Sequence, residues 1–306
     1  MLPMIRFDSS RLRKMPGWLL AVFLLPVALL LGWLLLARVD FLYPVWYRVL
    51  TIEDHIAHYA PQNQQGRADF VETTPTEHRR LFGLIVRAIE GRGEPLDEAV
   101  YHDAAGRELG KFLRAEEVGH LKDVERLVAV LTAAGWWFTA AAGLLVMLLW
   151  WRQLPLPPPA GVALMWLLLL GVGGMILWWQ GPQTVFDQLH EWVFPPDYPW
   201  FFYYQDSLMT TTMKAPQIFA AIAALWTALA LLFYALLYIG ARRLLARSPK
   251  ADPGKKISAG QAAQKAVPGE RLNKKTADED GSGTPGKAAR TRRQKKKPRA
   301  RRPRRG

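Results

Sequence analysis

Cysteine is absent from all 306 residues. That removes disulfides, a thiol nucleophile, thiolate metal ligands and a lipid-attachment cysteine from consideration. Two hydrolytic signatures are missing as well. There is no Gly-x-Ser-x-Gly, the strained turn that exposes a serine nucleophile, and no His-Glu-x-x-His, the helical zinc-binding pair. Acidic residues are outnumbered, with 26 Asp+Glu against 40 Lys+Arg for a formal net charge of +14. Yet half of the residues are hydrophobic and 13 are Trp, a combination foreign to a single soluble domain. The two properties occupy different segments. From Arg242 to Gly306 there are 22 Lys+Arg and 5 Asp+Glu, so this tail carries +17 and residues 1–241 carry −3.

Hydrophobic runs of spanning length define the body. Residues 1–15 are basic, with Arg6, Arg11, Arg13 and Lys14, and precede an apolar run long enough for a first membrane span at 16–38. A cleaved signal peptide is the competing reading, but the run exceeds a signal h-region and no small-x-small site follows. Residues 39–123 form a polar segment with 10 Lys+Arg and 15 Asp+Glu, expected to be a small cap on the membrane. Within it, Thr74-Pro75-Thr76-Glu77 reads as a capping box opening an amphipathic helix that stops at Gly91-Arg92-Gly93. Tyr101 to Phe112, with a turn at Ala-Ala-Gly-Arg, reads as a short hairpin.

A second span is expected at 124–150, a Pro-rich return at 151–159 and a third span at 160–179. Gly171, Gly173 and Gly174 would allow close helix packing there. An aromatic-rich segment at 180–215 leads to a fourth span at 216–240, and residues 241–306 form the basic tail. The fold class is therefore an all-α membrane protein of four transmembrane helices, a small extracytoplasmic cap and a disordered basic tail. Positive charge flanks one end of every span, which places both termini and the Pro-rich return in the cytoplasm and both longer loops outside. The tail's expected partner is the anionic inner leaflet, with nucleic acid as the rival.

Of six histidines, His55, His58, His78 and His102 have no recurring acid partner at a telling spacing, and most of them read as solvated surface. His120 differs. It lies in AEEVGHLKDVERLV, with Glu117 and Asp123 at i−3 and i+3, just before the second span. His190, in VFDQLHEWVF, lies beyond the third span at the same end, with Asp187 and Glu191 beside it and Asp197 and Asp206 in the aromatic stretch that follows. Two imidazoles with nearby carboxylates suit acid/base work on an ester or amine, with Asp123 or Glu117 fixing a tautomer. They also suit a metal-dependent lipid or peptide hydrolase, its metal site built from His120, His190 and acids such as Glu117, Asp123 or Glu191. A non-enzymatic scaffold is a third possibility.

RAEEVGHLKDVERL resembles the signature that precedes the second span in the lipoprotein intramolecular transacylases, small four-span bacterial membrane proteins. FDQLHEWVF followed by Asp197, Trp200, Asp206 and Leu208 resembles that family's second signature. The resemblance covers roughly residues 16–240; Thr210 to Lys214 lengthen the usual spacing, and the tail has no counterpart. It implies an inner-membrane enzyme without cofactor or metal that moves the sn-2 acyl chain of a diacylglyceryl lipoprotein to the α-amine of its N-terminal cysteine. Carried over, the important histidines are His120 and His190 and the first-signature acid is Asp123, while Glu117, Trp200 and Asp206 are expected to contact substrate. On this reading His120, oriented by Asp123, deprotonates the amine, and His190 stabilises the oxyanion or protonates the leaving oxygen, with the roles interchangeable.

Overall fold

In the computed structural model, which describes residues 9–93, 95–194 and 201–246, four helices are long and apolar enough to cross a membrane. They are α1 (Ser9–Ala37), α5 (Ala115–Arg152), α6 (Pro159–Gln180) and α9 (Gln217–Ala246). Between α1 and α5 lie the short helices α2 (Tyr43–Val49) and α3 (Ile52–Tyr59), the helix α4 (Pro75–Ile89), and a hairpin of β1 (Val100–His102) and β2 (Glu108–Lys111). Helices α7 (Pro182–Val193) and α8 (Leu208–Met213) lie between α6 and α9. Asp197 and Trp200, Arg6 of the N-terminal flank and the tail beyond Ala246 lie outside the described residues.

Helix α1 is the spine of the bundle, packed on both α5 and α9. Tyr234 donates to the Ala21 carbonyl (3.0 Å) and Trp226 to that of Leu29 (2.9 Å). Position rises on one helix as it falls on the other, so α1 and α9 run antiparallel and Arg242 and Arg243 end level with Arg13 and Lys14. The Pro-rich return closes the same end, because Tyr238 donates to the Pro157 carbonyl at 2.6 Å.

The glycines that permit close approach are not those expected from the third span. A Cβ on Gly135 would sit 3.0 Å from Leu30, and one on Gly32 would sit 2.9 Å from Trp226. Around Gly171, Gly173 and Gly174 there is nothing within 4 Å. Helix α6 meets the bundle through its first turns, where Val162 is buried and Trp166 stands edge-on to Tyr234. Its second half, including Trp178 and Trp179, is exposed to whatever surrounds the bundle.

The cap is built on aromatic packing. Phe70 packs on both Tyr101 and Phe112, and Tyr43 stacks on Phe82. The hairpin pairs Val100 with Lys111 in antiparallel register. At the start of α4, Thr74 accepts the Glu77 N–H at 3.2 Å, but the Glu77 carboxylate does not return to Thr74. It binds Arg80 (2.7 Å) and the His102 N–H (2.9 Å), so half of the capping box forms and the other half ties α4 to β1. His78 is not solvated surface: it is 3% exposed, between the Tyr47 hydroxyl and Thr73.

Candidate functional site

Where the cap meets the bundle, a cavity of about 640 Å³ opens between α4, α5, α7, α8 and the start of α9. Its wall is mostly aliphatic and aromatic: Ile85 and Ile89 from α4, Leu121 and Val124 from α5, Phe186 from α7 and Phe219 from α9. Both His120 and His190 line it, and their ring centroids are 6.4 Å apart. Volume and lining are those of a small-molecule site, apolar with a few convergent polar groups.

Helix geometry explains which residues turn inward. Phe186 and His190 on α7 and Phe194 just beyond its end follow one another at intervals of four and turn to the same side. Phe194 packs edge-on to His120 at 5.0 Å, and Phe186 lies 4.0 Å from His190. Sequence spacing puts Phe186, Leu189 and Val193 with Phe194 on an apolar face and Asp187, His190 and Glu191 on a polar one; Phe186 and Phe194 do turn inward, but His190 joins them. Leu189, Trp192 and Val193 instead point outward, 49%, 78% and 48% exposed. Beside a membrane, an apolar outer face is not a cost, so the moment of the helix does not show which side meets the protein.

The His190 ring is oriented by the backbone. Its Nδ1 lies 2.9 Å from the Phe186 carbonyl oxygen. A carbonyl only accepts, so Nδ1 carries the proton, and in the neutral ring Nε2 keeps the lone pair.

The acids around His120 diverge. At 3.6 residues per turn, positions six apart lie about 120° apart around the helix, so Glu117 and Asp123 cannot share a direction. Asp123 is held by Arg126 at 2.7 Å, and among the described residues it makes no hydrogen bond to His120. Glu117 is 0% exposed and accepts the Arg114 N–H at 2.6 Å, closing the start of α5 beside Ser207. Asp206 receives Gln65 at 3.3 Å, and its carbonyl receives the Arg114 guanidinium at 3.5 Å. The structure thus brings His120 and His190 together on the cavity, while Glu117, Asp123 and Asp206 are not among its lining residues; Trp200 lies outside the described residues. The proposed ligand set of two histidines and acids is not assembled, and no three His, Asp or Glu side chains gather in a metal-holding group among the described residues.

Residues that sequence patterns did not single out complete the setting. Arg114 lies over Phe202, 5.8 Å from its ring, and links the two loops. Tyr59 and Tyr204 close one side of the cavity, with His55 packed against both rings. Burial, with Lys214 and His58 adding, pushes His55 down to about 4. Apart from His55 and Tyr59, four apart on α3, these contacts join residues far apart in the chain, for which the sequence carries no spacing signal.

The chain matches no protein-family model and no curated protein. Its fold is similar to that of the membrane integral lipoprotein intramolecular transacylase Lit from Bacillus cereus, with a TM-score of 0.55 and 14% sequence identity. The match covers 82% of this chain and 96% of that one. At this identity the likeness is one of fold: a Lit-like architecture, in a chain whose own four helices are long and apolar enough to cross a membrane.

Proposed function

We propose that the chain is an intramolecular acyltransferase of the membrane, moving the sn-2 acyl chain of a diacylglyceryl lipoprotein to the α-amine of its N-terminal cysteine. One observation carries this reading: two histidines 70 positions apart in sequence converge on an apolar cavity at one end of the membrane bundle. Such a cavity suits acyl chains, and a pair of imidazoles suits a reaction that needs only proton transfers. Amine and ester already belong to one substrate molecule, so orientation supplies much of the rate without a covalent enzyme intermediate.

The chemistry balances within the substrate. The α-ammonium loses a proton, its nitrogen attacks the ester carbonyl, a C–N bond forms, and the C–O bond to glycerol breaks as the oxygen is protonated. His190, with Nδ1 committed to a carbonyl, presents Nε2 as the base. His120 faces it across the cavity and is placed to stabilise the oxyanion or protonate the glyceryl oxygen. Of the two assignments the sequence leaves open, this one is favoured because Asp123 pairs with Arg126 and the His190 ring has its tautomer fixed by the Phe186 carbonyl.

Mass spectrometry of lipoprotein N-terminal peptides tests the reading. Cells expressing the chain are expected to gain N-acyl, lyso-glyceryl lipopeptides. His120→Ala and His190→Ala should each reduce that product by roughly 10²- to 10⁴-fold, the usual range for general acid/base groups. Unchanged lipopeptides in cells with well-expressed wild type would end the acyl-transfer reading.

A further inference from the structure

Behind one wall of the cavity lies a cluster of buried hydroxyls: Ser207 (0% exposed), Thr210 (8%), Thr211 (1%) and Thr212 (0%). Thr211 spends its hydroxyl on the carbonyls of Tyr204 and Ser207, each at 2.8 Å. Thr210 is differently placed. Its N–H donates to Ser207 Oγ (2.9 Å), and Ser207 donates back to Thr210 Oγ1 (3.0 Å). That fixes the oxygen of Thr210, and with Ser207 as the donor of this pair the Thr210 proton is left to face the cavity. Thr210 lines the cavity that holds both histidines. On the far side of Ser207 sits the Glu117 carboxyl, fully buried, with Oε1 lacking a hydrogen-bond partner among the described residues.

We propose that Thr210 is the ester-anchoring hydroxyl of this cavity, donating to an ester carbonyl of a diacylglyceryl group and held for that task by Ser207, with Glu117 behind it. The proposal rests on the acyl-ester reading of the site and names the group that tells an ester from a plain hydrocarbon. In a wall made mostly of carbon, one oriented donor gives an ester carbonyl a partner that an alkane cannot use.

Native mass spectrometry of the full chain in detergent, with dioctanoylglycerol and hexadecane as separate probes, tests the proposal. Thr210→Val should weaken dioctanoylglycerol binding about five- to tenfold, as expected for one lost hydrogen bond, and leave hexadecane unchanged. Thr210→Ser, which keeps the hydroxyl, should return diester binding to within about twofold of wild type. Diester binding unaffected by Thr210→Val, or equal weakening of both probes, overturns the proposal alone. Failure of wild type to bind the diester at all overturns the acyl-ester reading of the cavity and the proposal with it.

Discussion

Tied at both ring nitrogens, His78 shows how packing overrides a surface-like sequence context. Thr73 gives its hydroxyl proton to the Phe70 carbonyl (2.7 Å), so toward His78 Nε2 (2.6 Å) it accepts. Nε2 therefore carries the proton, and Nδ1 accepts from the Tyr47 hydroxyl at 2.9 Å. Burial pushes this imidazole down to about 4. The unfolded chain takes up a proton near pH 6.5 that the folded chain refuses until about pH 4, so stability is complete above pH 6.5 and falls as pH falls through that window. The loss should be on the order of 3 kcal/mol, levelling off below pH 4. Thermal unfolding between pH 7 and pH 4 measures it, and His78→Gln should be less stable at pH 7 but show a flatter profile. Asp123 offers the opposite lesson. Its spacing from His120 suggested an orienting role, whereas its carboxylate is held by Arg126. Asp123→Asn is thus expected to lower acyl transfer by less than about threefold, since its carboxylate pairs with an exposed arginine rather than with His120. A loss matching that of the histidine variants would restore Asp123 to the chemistry. The two histidines on the cavity were legible because each lies beside a span with acids nearby; His78 was not, because its partners lie on α2 and an irregular loop.

At the level of elements, α1 and α5 approach closely at Gly135, against Leu30. A Cβ branch there must displace a side chain already inside the bundle. Gly135→Val should cost about 1–3 kcal/mol as an overpacked core position, while Gly173→Val, with open space around it, should stay within about 0.5 kcal/mol. Unfolding in detergent compares the two directly, and equal sensitivity would mean that α6 packs through its glycines after all. The four long apolar runs were legible in composition, since a spanning helix must satisfy its backbone internally and be long enough to cross. Which face of each helix meets protein was not legible. Lipid and protein interior are equally apolar, so hydropathy periodicity loses its meaning on α6 and misled on α7, where His190 shares its face with Phe186 and Phe194 rather than with Asp187 and Glu191. The hairpin turn was legible from Ala104-Ala105-Gly106, and its tie to α4 through Glu77 was not, because the Thr74 motif pointed that carboxylate elsewhere.

For the whole molecule, charge is sorted by the antiparallel pairing of α1 with α9. Arg13, Lys14, Arg152, Arg242 and Arg243 come to one end of the bundle, where the described residues include no acid, and the acidic cap comes to the other. A net positive end is retained in the cytoplasm during insertion, so the cap and the histidine cavity should face outward. The absence of cysteine makes this directly testable, because any introduced thiol is the single one in the chain. Ala105→Cys, in the exposed hairpin turn, should react with a membrane-impermeant maleimide in cells whose inner membrane is intact. Gln153→Cys, at the Pro-rich return, should react only after that membrane is permeabilised. The opposite pattern would put the cavity on the cytoplasmic side. A lipoprotein receives its free N-terminal cysteine at the outer face, so that inversion would leave the folded site intact while removing its proposed substrate, and an acyl ester of the inner leaflet would have to be sought in its place.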